Sequence, residues 1–300
     1  MNFNLNIYLD HFGLNRRPFT LVPDPDFMFW SRAHKKAKAI LEYGLISRSP
    51  ITLVTGEVGS GKTTLLRDLL QNIGDELLIG LISNATATDR SDLMRLILGA
   101  LGEEIREEDS YATLNRRLEE LLVEEYSKGR RVVLIFDEAQ NLGQESLENL
   151  RMLTNINFAD HELVQLVLVG QPELRDIIMR SDMTQLAQRI SASVFLPRLT
   201  DVDVETYITH RLNIAGAQHQ IFLPETFAKI RQATGGIPRL INQLCDFALL
   251  YAFELGVQTV DETAIQEVLD DNLFFCAGRG NPLRLVQAEQ APRLDSDEMK

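Results

Sequence analysis

Residues 51–66 read ITLVTGEVGSGKTTLL, and no other stretch constrains the fold so tightly. The β-branched opening, residues 51–55, has the form of a buried parallel strand. Gly56, Glu57, Val58, Gly59, Ser60, Gly61, Lys62 and Thr63 then satisfy G-x-x-x-x-G-K-[ST], and Leu65, Leu66, Leu69 and Leu70 follow at helical spacing. A strand that turns through glycines straight into a helix aims successive backbone N–H groups inward, at the positive end of the helix dipole. That arrangement suits phosphate oxygens. Lys62 supplies a mobile cation for β- and γ-phosphates, and the Thr63 hydroxyl is placed to ligate Mg²⁺. Residues 56–63, with Thr64 beside them, are therefore expected to hold the phosphates of a nucleotide.

A second set of charges complements this loop. Residues 132–136, Val-Val-Leu-Ile-Phe, run apolar into Asp137 and Glu138, the form of a buried parallel strand delivering acids at its carboxyl end, where open α/β sheets bind ligands. Asp137 is expected to hold Mg²⁺ and Glu138 to polarise an attacking water. Gln171, at the end of the apolar run 163–169, is placed to orient that water or sense the γ-phosphate. Arg189, ahead of a short strand expected at 194–196, is a candidate arginine finger toward a neighbouring subunit. Arg175, Arg180 and Arg198 are its rivals, and a salt bridge is the plain alternative. Arg239, in Gly-Gly-Ile-Pro-Arg at a helix start, is placed to swing onto the same phosphates, with Asn242 one turn later.

The rest of the chain frames these motifs. Three hundred residues allow one substantial core and a smaller unit, and a hydrophobic content of 45% with 24% charged residues is that of an ordinary globular protein. A formal net charge of -13 argues against a bulk electrostatic grip on nucleic acid. Lys35, Lys36 and Lys38 form one local basic cluster, read as a solvated helix face. Cys245 and Cys276 show no metal spacing and suit a reducing compartment. No apolar run reaches the length of a membrane span, so a cytoplasmic chain is expected. Residues 8–29, rich in aromatics and prolines, read as an extended segment wrapped over a core. After residue 200 four helical patterns follow with no strand between them. The expected division is 1–49 as an N-terminal segment and helix, 50–200 as the nucleotide-binding domain, 201–276 as an α-helical lid, and 277–300 as a flexible tail.

GEVGSGKT, VVLIFDEAQ, LVLVGQPEL, LAQRI and GGIPRLIN occur in this order. They resemble the Walker A, Walker B, sensor 1, arginine-finger and sensor 2 motifs of AAA+ ATPases. The opening YLDHFGLNRRPFTLVPDPDFMFWSRAH, with DEAQNL and GQPEL, resembles more narrowly the ExeA (general secretion pathway protein A) family and its short, MshM-like relatives. The likeness extends over roughly residues 8–275. It implies an α/β P-loop core with a parallel five-stranded sheet in order 5-1-4-3-2, a helical lid, and ATP with Mg²⁺ as ligands. It also implies a homo-oligomer, ring or filament, and a cover for the adenine near Pro18 and Phe19. The larger members continue into a membrane span and a peptidoglycan-binding domain, which the polar end of this sequence does not resemble. A cytoplasmic ATPase is thus expected, peripheral at the inner membrane through a membrane-anchored partner. It would act as an assembly switch or motor for a secretion, pilus or surface-polysaccharide system. The competing class is a DNA-associated AAA+ ATPase, akin to transposition partners or replication initiators; nucleic acid is possible but not favoured by the charge balance.

Overall fold

Five apolar runs too short to cover themselves pair into one parallel sheet, and the crossovers that parallel pairing requires place helices on both faces. The computed structural model describes residues 7–271 except 23, 85, 159 and 160. Its sheet strands are β1 (Ile51–Gly56), β2 (Leu77–Ser83), β3 (Arg131–Asp137), β4 (Val164–Gly170) and β5 (Ile190–Leu196). They lie side by side as β2-β3-β4-β1-β5, the order 5-1-4-3-2 read from the other edge. A two-residue antiparallel hairpin, Asn157–Phe158 with His161–Glu162, precedes β4.

Strand residues alternate between two cores, as the pleat dictates. Leu53, Leu134, Phe136, Leu166 and Leu168 pack beneath helices α4 (Arg90–Ala100), α5 (Tyr111–Ser127), α6 (Gly143–Leu153), α7 (Pro172–Ile178) and α8 (Thr184–Arg189). On the other face Val54, Val133, Ile135, Val167 and Val169 meet α2 (Arg32–Ile46) and α3 (Lys62–Gln71). Helix α2 approaches β1 so closely that a Cβ on Gly44 would stand 2.3 Å from Thr52 Oγ1. Only glycine permits this seat, and it fixes the helix against the strand that feeds the phosphate loop.

One expectation needs correction. The fifth strand begins at Ile190 rather than Val194. It is an edge strand with Ala192, Val194 and Leu196 buried and Ser191, Ser193 and Phe195 exposed, and its outward serines interrupt the apolar run that identifies a central strand. The aromatic N-terminal segment packs against a core, and that core is the helical unit's rather than the sheet's. After the short helix α1 (Leu9–Phe12), its Tyr8, Leu9, Phe12, Leu14, Phe19 and Phe27 are buried in the core of the helical unit formed by α9 (Asp201–Ile214), α10 (Pro224–Thr234), α11 (Pro238–Glu254) and α12 (Glu262–Asp270). The segment's aromatics pack with the buried side chains of these four helices into one continuous apolar core. Tyr8 and Arg17 both donate to Asp246 of α11, and the Asn15 amide donates to Ala215 O at 2.7 Å. Cys276 and the expected tail lie outside the described residues. Among the described residues no helix is long and apolar enough to cross a membrane.

Candidate active site

The phosphate loop leaves β1 at Gly56 and enters α3 at Lys62 through Gly59 (φ 76°) and Gly61 (φ 99°). Both angles lie in the left-handed region that glycine adopts without strain. The buried Lys62 ammonium donates to the carbonyls of Gly56 at 2.8 Å and Glu57 at 3.1 Å. Burial lowers its pKa, against the opposing charges of Glu138 and Asp137. It is a cation held out of water, with loop carbonyls as its partners. The Glu57 carboxylate is paired instead with Arg198, 3.1 Å away in the connection from β5 to α9.

Strand β3 delivers Asp137, buried, to the same place, and Thr63 Oγ1 donates to its Oδ2 at 3.2 Å. Burial raises the Asp137 pKa, with the Glu138 N–H and Thr63 opposing. The backbone then turns through Glu138 at φ 55°, ψ 40°, a left-handed conformation rare for a non-glycine residue and found where geometry serves a site. This turn sends the Glu138 carboxylate to two amides: Gln140 donates to Oε2 at 2.6 Å and Gln171 at 2.9 Å. Burial pushes the Glu138 pKa up, but the amides and the Lys62 charge outweigh it and hold the carboxyl below its ordinary value. Two adjacent carboxylates are thus driven in opposite directions, the pattern that divides roles between paired acids.

A cavity of about 280 Å³ opens above the loop. Its floor is Val58 to Thr64, with Glu138 at one side. Arg239 and Pro238 of α11 close it from the helical unit, and Thr20, Leu21, Val22 and Phe27 to Phe29 form its far wall. Lys62, Thr63, Glu138 and Arg239 therefore line one space, with Asp137 bonded to Thr63 and Gln171 bonded to Glu138. Pro18 and Phe19 do not line it: Phe19 is buried edge-on against Phe222, and Pro18 gives its carbonyl to Arg211 Nε at 2.5 Å. The wall is made by the residues that follow them, because Phe19 is the side chain the helical core takes. Arg189 is not in this cavity either. It stands just before β5, at the opposite end of the sheet from the chain's own phosphate loop, bonded to Glu162 at 3.3 Å and to Asn155.

Several groups here escaped the sequence reading. Buried Arg211 has no carboxylate within ion-pair reach among the described residues. It lies over the Phe27 and Tyr207 rings and donates to Pro18 O and Tyr207 OH. Tyr207 donates to Asn242 Oδ1 at 2.8 Å, and Asn242 donates to Thr20 O at 3.2 Å, so this network joins the N-terminal segment to two helices at the cavity wall. His34, which also lines the cavity, is bonded to the phosphate loop. Their signals were present: polar residues on the buried stripes of α9 and α2, and Gln140 two positions after Glu138.

Oxygen donors at Thr63 and Asp137 and a buried cation at Lys62 suit a hard divalent ion and a polyphosphate. The family model for the AAA domain matches residues 46–178, from the last residue of α2 to the last of α7. These residues therefore form an AAA domain of the P-loop class. The chain is similar to General secretion pathway protein A of Aeromonas hydrophila, with 40% identity over 250 residues, 83% of this chain and 46% of the relative. It thus spans about half the length of that curated relative. Among solved structures, the fold is like that of Drosophila ORC bound to DNA (TM-score 0.67, 15% identity, 94% of this chain and 69% of that chain). It is also like Cdc6p of Pyrobaculum aerophilum (TM-score 0.65, 17% identity, 85% and 73%) and ORC2 of Aeropyrum pernix (TM-score 0.63, 19% identity, 86% and 72%). At these identities the likeness concerns the fold.

Proposed function

We propose that the chain binds ATP and hydrolyses it to ADP and phosphate, and that the cycle serves as an assembly switch for an envelope system. The observation that carries this reading is the Glu138 carboxylate, held ionised by Gln171 and Gln140 at the rim of the cavity, facing Lys62 and the Thr63–Asp137 pair. The loop N–H groups and Lys62 bind the β- and γ-phosphates, and Thr63 and Asp137 hold Mg²⁺, which supplies charge neutralisation at the transferred phosphoryl group. Glu138 accepts a proton from the attacking water, and Gln171 keeps the carboxylate turned toward it. Arg239 approaches the same phosphates from the helical unit, so ATP favours a closed arrangement that hydrolysis releases. Arg189, remote from its own loop, serves a neighbouring copy.

The envelope role rests on the likeness to General secretion pathway protein A. In it, the chain works as a homo-oligomer beside a membrane-anchored partner. Steady-state phosphate release by wild type and Glu138→Gln tests the hydrolytic reading: it requires turnover in the first and its near-complete loss in the second, with ATP still bound. Equal rates in the two would sink it.

A further inference from the structure

His34 lies on the buried face of α2, and both of its ring nitrogens are used. Nε2 is 3.0 Å from the carbonyl oxygen of Ser60, at the centre of the phosphate loop, and Nδ1 is 2.7 Å from Ser31 Oγ. Ser31 caps the helix by accepting from the His34 N–H at 3.2 Å. These partners fix the tautomer. A carbonyl only accepts, so Nε2 carries the proton and donates; Nδ1 accepts from the Ser31 hydroxyl, whose oxygen receives the helix N–H.

The consequence for the loop follows from peptide geometry. In a planar trans peptide the C=O and N–H of one unit point to opposite sides. Pinning the Ser60 carbonyl against α2 therefore turns the Gly61 N–H away from the helix, and that N–H has no partner among the described residues. The unit is otherwise free to rotate, since Gly61 sits at φ 99° and carries no side chain to resist a flip. A flipped peptide would present a carbonyl oxygen where the loop should present a donor. A Cβ on Gly61 would stand 2.9 Å from His34 Nε2, so ring and loop are already in contact. The ring is buried and bonded at both nitrogens, on a helix that is itself seated on β1 at Gly44.

We propose that His34 is a positioning residue for the nucleotide: by holding the Ser60 carbonyl it pre-aims the Gly61 N–H at a phosphate oxygen. Preset donors of this kind bind without a reorganisation cost. The inference rests on the ATP reading of the site, and a wild-type measurement separates the two.

The test is affinity for ATP and for adenosine, by calorimetry and competition, in wild type, His34→Leu and His34→Gln. The melting temperature of each nucleotide-free protein is recorded alongside. The expected result is a loss of about tenfold or more in ATP affinity for His34→Leu, equivalent to ~1.4 kcal/mol. Adenosine affinity should be nearly unchanged, and His34→Gln, which can still donate to the carbonyl, should recover most of the loss. Equal ATP affinity in wild type and His34→Leu overturns the proposal, as does an equal weakening of ATP and adenosine, which marks a merely structural role. Wild type that binds no ATP removes the site reading and this inference with it. If His34→Leu does not fold, His34→Met against His34→Gln makes the same comparison between two side chains of similar length, one without a donor.

Discussion

Thr63 donates to Asp137 across 3.2 Å, joining the first turn of α3 to the last residue of β3 over 74 positions of sequence. The pair brings a hydroxyl and a carboxylate oxygen to one point beside the phosphate loop, a donor set for Mg²⁺. In Asp137→Asn the dependence of ATP affinity on magnesium should largely vanish. Fluorescence titrations with and without a chelator measure it: wild type tightens when magnesium is supplied, by roughly tenfold or more, and the variant does not. A variant that responds to magnesium like wild type would place the ion elsewhere.

Gln171 is one of the groups that hold the Glu138 carboxyl below its ordinary value. Without its amide donor, the base function of Glu138 should survive only at higher pH, because one of the groups holding the carboxyl below its ordinary value is gone while burial still pushes it up. Gln171→Ala should therefore lower kcat by about tenfold to a hundredfold, consistent with partial loss of general-base catalysis. The acid limb of its pH–rate profile should also move upward. A lower rate with an unmoved limb would assign Gln171 to substrate contact instead.

Arg189 stands at the opposite end of the sheet from its own phosphate loop, so under the proposed function any effect it has on hydrolysis would come through another copy. Phosphate release per chain should rise with protein concentration in wild type. In Arg189→Ala it should fall by about 10³-fold, the scale of arginine fingers. A slow rate independent of both concentration and the substitution would make Glu162 and Asn155 its whole purpose.

His34 also gives the fold a pH dependence. Burial lowers its pKa, with the Ser60 carbonyl and the Asp203 charge only partly compensating. Below its ordinary value near 6.5 the unfolded chain binds a proton that the folded chain refuses, so stability is lost as pH falls through that window. The drop in melting temperature between about pH 7.5 and about pH 5.5 should be smaller in His34→Gln than in wild type. An equal drop in the two proteins would show that other groups account for it.

The sheet was legible because each central strand is a nearly unbroken apolar run; Val132 to Phe136 and Leu166 to Val169 admit no other burial pattern. The phosphate loop was legible because its chemistry fixes both residue types and their spacing. β5 was harder to read, since an edge strand buries one face and its serines resemble a loop. The aromatic segment was visible as material to be buried, but composition does not say which core receives it. Phe19 and Phe27 are buried with the side chains of α9–α12, a pairing set by tertiary packing rather than by local sequence. His34 and Arg211 were hidden for a related reason: each makes its defining contact with a backbone carbonyl far away in sequence, Ser60 and Pro18, and carbonyls leave no trace in a residue pattern.

The placement of the aromatic segment has a consequence for how the molecule is made. On the ribosome, Tyr8, Phe12 and Phe19 emerge well before the helices that bury them; Tyr8 must wait for Asp246, 238 positions later. The sheet and its flanking helices are synthesised complete in the interval, while the segment remains uncovered and exposed to off-pathway association. A fragment stopped after β5 would carry those aromatics with nothing to receive them, so an isolated sheet unit is better begun at α2 than at the first residue.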